Sequence, residues 1–288
     1  MCEAIESALA QTYSNVEVLV INDGSTDNTG EIAKSYGDKI RYFSKENGGV
    51  ASALNLGIKE MHGEYFSWLS HDDLYTPDKV EKNIEALKND RYRIVYSDFS
   101  HIDKDGNFIG IISAKNLHPT ADYEYWLFPI IFGLIHGCSL LLHRKHFQEH
   151  GVFDEHLKCT QDFDLWFRMF RNQKLIYLDE VLVKGRQHEG QTSVTSEKNT
   201  KESDILWVKM LTALTEEDII KLSGSELNFW SFQVPFLEVN TNNKNSIKYA
   251  KYRLNKCRGS FIRRFRLALK LHGVIGTLKA ILRKLFAR

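Results

Sequence analysis

Glu17-Val18-Leu19-Val20-Ile21-Asn22-Asp23-Gly24-Ser25-Thr26-Asp27 is an apolar run that stops at a turn and restarts as a helix. Glu17 to Ile21 reads as a buried strand, since a short apolar run bounded by turn formers is too brief for a helix. Ser25 and Asp27 offer N-caps for a helix reaching Tyr36. The same alternation continues outward. Cys2 to Gln11 precedes it as a helix; Ile40 to Phe43 follows as a strand, Gly49 to Met61 as a helix and Tyr65 to Leu69 as a strand. Thr76 as N-cap and Pro77 at the first helical position open another helix, and Arg93 to Ser97 forms a further strand. Strands alternating with helices predict an α/β fold with a doubly wound, mainly parallel sheet and helices on both faces.

Beyond residue 98 the pattern loosens. Lys104 to Asn107 is a turn signal between strands at Phe99–Ile102 and Phe108–Ile112. Ser139 to Leu142 reads as a strand and Asp162 to Phe170 as a helix. From Ser196 onward the pattern is helical, which divides the chain into an α/β domain over 1–195 and a helical C-terminal region over 196–288.

The chain has 288 residues, of which 43% are hydrophobic and 26% charged, a globular composition that excludes a disordered or collagen-like chain. The net charge of +1 hides an asymmetry. Lys244 to Arg288 holds 14 of the 38 basic residues and no Asp or Glu, leaving 24 basic against all 37 acidic residues in the body. A basic tail on an acidic body predicts an anionic partner. Cys2, Cys138, Cys159 and Cys257 are scattered without metal-ligand spacing, which fits a reducing compartment. There is neither a secretory signal nor an apolar run of about 18 residues, so the expected location is cytoplasmic.

Five segments carry candidate chemistry. Asp23 ends the first strand, where ligands of open α/β sheets bind; its carboxylate suits a base or ribose, or serves a capped turn. Glu46-Asn47-Gly48-Gly49 lies between strand and helix, and its glycines permit close approach of a ligand or simply make a turn. Ser70-His71-Asp72-Asp73 places two carboxylates together, a repulsion that a Mg²⁺ or Mn²⁺ ion would offset. Capping does not explain both aspartates if Thr76 is the N-cap. Thr160-Gln161-Asp162-Phe163-Asp164 opens a helix, where Asp suits the helix dipole or the floor of a site. Arg186-Gln187-His188 offers a phosphate contact and a metal ligand, or a surface imidazole.

In this order and spacing the five segments, with Tyr96-Ser97-Asp98, Ile102-Asp103 and Gly151-Val152-Phe153-Asp154-Glu155, resemble glycosyltransferase family 2 over about Cys2 to Ser196. The resemblance implies a GT-A-like fold. It implies sugar transfer from a nucleotide-diphosphate donor to a glycan or lipid-linked acceptor, as in cell-surface polysaccharide synthesis. Asp162 would be the general base. Asp23 would contact the nucleotide base, Asn47 and Gly48 the donor, and Asp72 the ribose or the metal. Asp73 and His188 would hold the Mg²⁺ or Mn²⁺, and Arg186 the phosphates. One displacement with one base implies inversion.

Other members open with an apolar strand ahead of the first helix, whereas Met1-Cys2-Glu3 already lies in that helix. The reading is therefore an N-terminally truncated form with an open sheet edge beside Glu17 to Ile21. A catalytically weak, nucleotide-sugar-binding or scaffold protein is the alternative. A nucleotidyltransferase would want a Gly-rich loop with Arg and Lys near the start, which is not seen. Phe261, Phe265, Leu269, Leu278, Ile281, Leu282 and Leu285 recur at helical spacing among Arg and Lys, so the tail suits an anionic membrane surface. It contains no recognised nucleic-acid module, and nucleic acid is not an expected partner.

Overall fold

The computed structural model describes residues 1–88, 90–117, 122–188 and 197–259. The expected boundary at 195/196, residues 189–193, which continue the fifth segment beyond His188, and the apolar tail from Phe261 lie outside them. The chain divides into two compact units, Met1–Leu206 and Trp207–Arg288.

In the first unit the elements run α1 (Cys2–Leu9), β1 (Leu19–Asp23), α2 (Thr29–Ser35), β2 (Arg41–Lys45), α3 (Val50–Glu60), β3 (Tyr65–Phe66), β4 (Leu74–Tyr75) and α4 (Lys79–Ala86). They continue with β5 (Val95–Ile102), β6 (Phe108–Ile112), α5 (Ala114–Leu117), α6 (Leu127–Ile131), β7 (Leu142–His143), α7 (Lys145–His150), α8 (Gln161–Met169) and β8 (Ile176–Arg186). The helix α9 (Glu197–Ala213) crosses into the second unit, where α10 (Glu216–Ser223), α11 (Glu226–Asn240) and a helix over 244–259 follow.

The α/β class holds, and the two longest strand pairings are parallel: β1 with β2, and β5 with β8. Antiparallel additions complete a four-stranded sheet in the order β4-β8-β5-β6, while β3 pairs with β7. β5 sits between two partners and is buried almost throughout. Among the described strands β1 pairs with β2 alone, and Leu19, Val20 and Ile21 are only half-buried despite being aliphatic. Beneath them, Ile5, Ala33 and Ile40 form one core cluster, flanked by Val18, Val20, Tyr36 and Tyr42.

Three expectations shift for visible reasons. The strand through Leu69 ends at Phe66. The helix expected at Thr76 begins at Lys79: the Thr76 N–H donates to the Leu182 carbonyl at 3.0 Å and its hydroxyl to Asp78 at 2.8 Å. That pairing draws Leu74 and Tyr75 into the sheet as a strand the sequence did not announce. Where a strand was expected over Ser139–Leu142, a 3-10 turn spans Gly137–Ser139 and the strand starts at Leu142.

The second unit is helical in its described part. Thr215 and Asp218 form a reciprocal capping box on α10, which Gly224 closes in the left-handed region. Trp230, Phe229 and Leu237 are buried, and Arg253 lies over the Trp230 ring at 5.0 Å. No helix among the described residues is long and apolar enough to cross a membrane.

Candidate active site

The first two segments are locked together. β1 delivers Asp23 beside the end of β2, and its carboxylate accepts from Lys45 Nζ at 2.7 Å, the Gly48 N–H at 3.0 Å and the Gly49 N–H at 2.7 Å. Burial works against this charge, but Lys45 and the two N–H groups outweigh it and hold the carboxyl below its ordinary range. Gly24 has a φ of +76°, and a Cβ there would lie 2.6 Å from the Asn47 nitrogen. Both glycine turns therefore serve a close backbone approach, with Asn47 exposed and Gly48 half-buried beside it.

Asp72 and Asp73 face different ways. Asp73 is 4% exposed; its Oδ1 accepts from the Arg186 N–H at 2.9 Å and its Oδ2 from the Cys138 thiol at 3.4 Å. His136 completes the clamp. Its Nδ1 accepts from the Cys138 N–H at 3.3 Å, so the neutral ring carries its proton on Nε2, which lies 3.6 Å from Asp73 Oδ2. Burial keeps the ring below the ordinary imidazole range and drives the Cys138 thiol far above its own, so both stay neutral donors. Asp72 is the more open of the two, and its Oδ2 lies 3.0 Å from His188 Nε2. The structure thus brings His188 to Asp72, and it places Asp73 beside His136 and Cys138, whose potential metal-ligating atoms lie with its own within 4.8 Å of one another. One carboxylate oxygen and one imidazole nitrogen at a partly open strand end form a donor set that fits a divalent ion.

Arg186 braces the same segment. Its Nε donates to the Asp72 carbonyl at 2.9 Å, its Nη1 to the Lys104 carbonyl at 3.0 Å, and its Nη2 pairs with Glu3 of α1. The guanidinium, expected on phosphate, here ties β8, the β5–β6 turn and α1 around the Asp72 segment.

Asp162 is the second residue of α8, and its carboxylate accepts from the Phe163 N–H at 2.8 Å. Burial pushes its carboxyl up to about 6, against the pull of that N–H and with the charge of Glu202 adding to the rise. Asp164, two residues on, is a structural partner: it pairs with Arg168 at 2.8 Å. Glu202 from α9 accepts from the N–H groups of Lys158, Cys159 and Thr160 and from the Thr160 hydroxyl, fixing the loop that leads into Asp162. Asn55, in α3 after the second glycine turn, bonds both the N–H and the carbonyl of Phe153 at 3.0 Å, which binds the Gly151–Glu155 segment to that turn's helix.

His136, Cys138, Glu202, Glu3 and Lys45 were not singled out by sequence. His136-Gly137-Cys138 carries only a turn signal, and the reason for Gly137 is steric: a Cβ there would meet the Trp68 ring at 2.4 Å.

Three comparisons bear on this arrangement. Residues 1–151 match the model of the family described as glycosyl transferase family 2. An uncharacterized glycosyltransferase of Rickettsia conorii is 47% identical over 254 residues; the match covers 87% of this chain and only 42% of the relative's length. Among solved structures, S. aureus TarS 1-349 in complex with UDP superposes with a TM-score of 0.61 at 18% identity, covering 82% of this chain and 68% of that one. The mannosyltransferase PcManGT of Pyrobaculum calidifontis, in complex with GDP-Man and Mn²⁺, gives 0.59 at 14% identity, covering 99% of this chain and 83% of that one. At such identities the structural likeness shows the fold.

Proposed function

The chain belongs to glycosyl transferase family 2 and has a GT-A-like α/β fold, and from that premise we propose that it moves a sugar from a nucleoside diphosphate donor to a hydroxyl of a glycan or lipid-linked acceptor, with inversion. The observation that carries this reading is the contact of Asp72 with His188 at the strand ends, 3.0 Å apart. The UDP bound to one structural neighbour and the GDP-Man and Mn²⁺ bound to another support a nucleotide-sugar donor and a divalent ion.

Asp162 is the general base. An aspartate with its carboxyl near 6 is ionised at neutral pH yet more basic than an ordinary one. It takes the proton of the acceptor hydroxyl as that oxygen attacks the anomeric carbon, and the bond to the diphosphate oxygen breaks on the opposite face. Such a base contributes about 10²–10⁴-fold. Asp72 and His188 would hold Mg²⁺ or Mn²⁺, which when bound neutralises charge on the departing diphosphate. Asp73 also positions: by holding the Arg186 N–H it fixes the strand end that presents His188, two residues on. Asp23 keeps Gly48 and Gly49 closed as the wall of the nucleoside end. We place the chain at the cytoplasmic face of an anionic membrane, drawn there by the basic tail and serving cell-surface polysaccharide synthesis.

The test is release of nucleoside diphosphate from a panel of UDP- and GDP-sugars with Mn²⁺. Release is expected with at least one donor and is expected to vanish in His188→Ala. Release by His188→Ala undiminished in EDTA would overturn the assignment.

A further inference from the structure

α7 carries His146, Glu149 and His150. Residues four apart stand on one face of a helix, and two histidines at that spacing are how a helix chelates zinc. One potential ligand atom from each of the three residues lies within 4.8 Å of the other two. The tautomer of His146 is legible. Its Nε2 sits 2.8 Å from the Tyr92 carbonyl oxygen, which can only accept, so Nε2 bears the proton and Nδ1 keeps a lone pair. That Nδ1 is buried without a hydrogen-bond partner in a residue only 1% exposed. His150 Nε2 is likewise buried without one, 3.9 Å from Glu149 Oε2. Two orphan nitrogens from imidazoles stacked with ring centroids 6.3 Å apart are a desolvation cost that native interiors avoid unless something fills the gap. An imidazole whose far nitrogen donates to a backbone carbonyl is also how metal-bound histidines are oriented.

We propose that His146, Glu149 and His150 bind one divalent ion of the zinc type, at a site made of other residues than Asp72 and His188. Two imidazoles and one carboxylate leave a position for water and favour Zn²⁺ over Mg²⁺. The ion would stiffen the end of α7, where Arg168 of α8 donates to the carbonyls of His150, at 2.5 Å, and Val152, at 3.0 Å. The site would thus buttress the helix that carries Asp162, whatever the reaction there.

The experiment uses the full chain carrying His188→Ala, which removes a ligand of the donor site. Zn²⁺ binding is read by competition with a chromophoric chelator in excess Mg²⁺, and Co²⁺ binding by visible absorption. About one equivalent of Zn²⁺ is expected, with affinity falling at least ~10-fold in both His150→Ala and Glu149→Gln. These side chains are 26% and 54% exposed, so both variants should fold, which the metal-free melting temperature checks. The Co²⁺ spectrum should lack a thiolate charge-transfer band. Equal Zn²⁺ affinity in His150→Ala and its parent, no binding in the parent, or a thiolate band lost in Cys138→Ser would each overturn the proposal.

Discussion

At the scale of single residues, the two members of the Asp72-Asp73 pair have separate fates. Asp72→Asn should raise the Mn²⁺ concentration needed for half-maximal transfer, and His188→Ala should abolish transfer. Asp73→Asn should instead lower stability, because it weakens the acceptor of the Arg186 N–H and the Cys138 thiol. Titrating metal in activity assays and urea in unfolding assays separates the two outcomes. Asp162→Asn should lower turnover by at least ~10²-fold while leaving donor affinity near its starting value. The base must be ionised, so transfer should fall as pH drops through about 6, the level to which burial lifts this carboxyl. Glu202 adds to that lift through its negative charge. Removing the charge eases ionisation of Asp162, so Glu202→Gln should carry the acid limb of kcat/KM to lower pH. An unmoved limb would detach Glu202 from the base.

At the scale of elements, the glycine turn after β1 is under the tightest steric demand. Gly24→Ala would put a Cβ 2.6 Å from the Asn47 backbone at a φ of +76°. The left-handed conformation alone costs about 1–2 kcal/mol; urea unfolding should show at least that loss, together with weaker donor binding as the Gly48–Asp23 contact opens. The elements themselves were legible in uneven measure. α1, α3, β6 and α8 follow from caps and apolar spacing, and they appear within a few residues of expectation. β8 did not announce itself, because Asp179-Glu180 interrupts its apolar run. The structure absorbs that pair as an exposed bulge: Ser97 pairs with Leu178, and Asp98 with Val181. The five chemical segments could be read, since strand ends and glycine turns punctuate sequence. The clamp on Asp73 could not, because His136 and Cys138 lie more than 60 residues from it and meet it only through the sheet. Nor could the inward turn of Arg186, which depends on partners at Glu3, Asp72 and Lys104.

At the scale of the whole molecule, Lys79 links stability to pH. It is fully buried, donates to the Ser67 hydroxyl and to the Leu140 carbonyl at 3.2 Å, and lies 4.5 Å from the Tyr75 ring centroid. Burial lowers its ammonium from 10.5 to about 7. Between those values the unfolded chain binds more protons than the folded one, so stability rises with pH across that window; the penalty is complete below about 7. Urea midpoints measured from pH 6 to 9 should therefore climb, and Lys79→Met should flatten the climb. The pairing of Arg186 with Glu3 spans 183 residues of chain. On a ribosome α1 emerges well before its partner strand β8, which comes last among the described strands of this unit. At roughly 5–20 residues per second, α1 waits on the order of 10–40 s for Arg186. Over the later part of that interval β5 has been made but its partner β8 has not, which leaves β5 with an unpaired edge, so nascent chains of this protein should depend on holdase chaperones until the strand bearing Arg186 has been made.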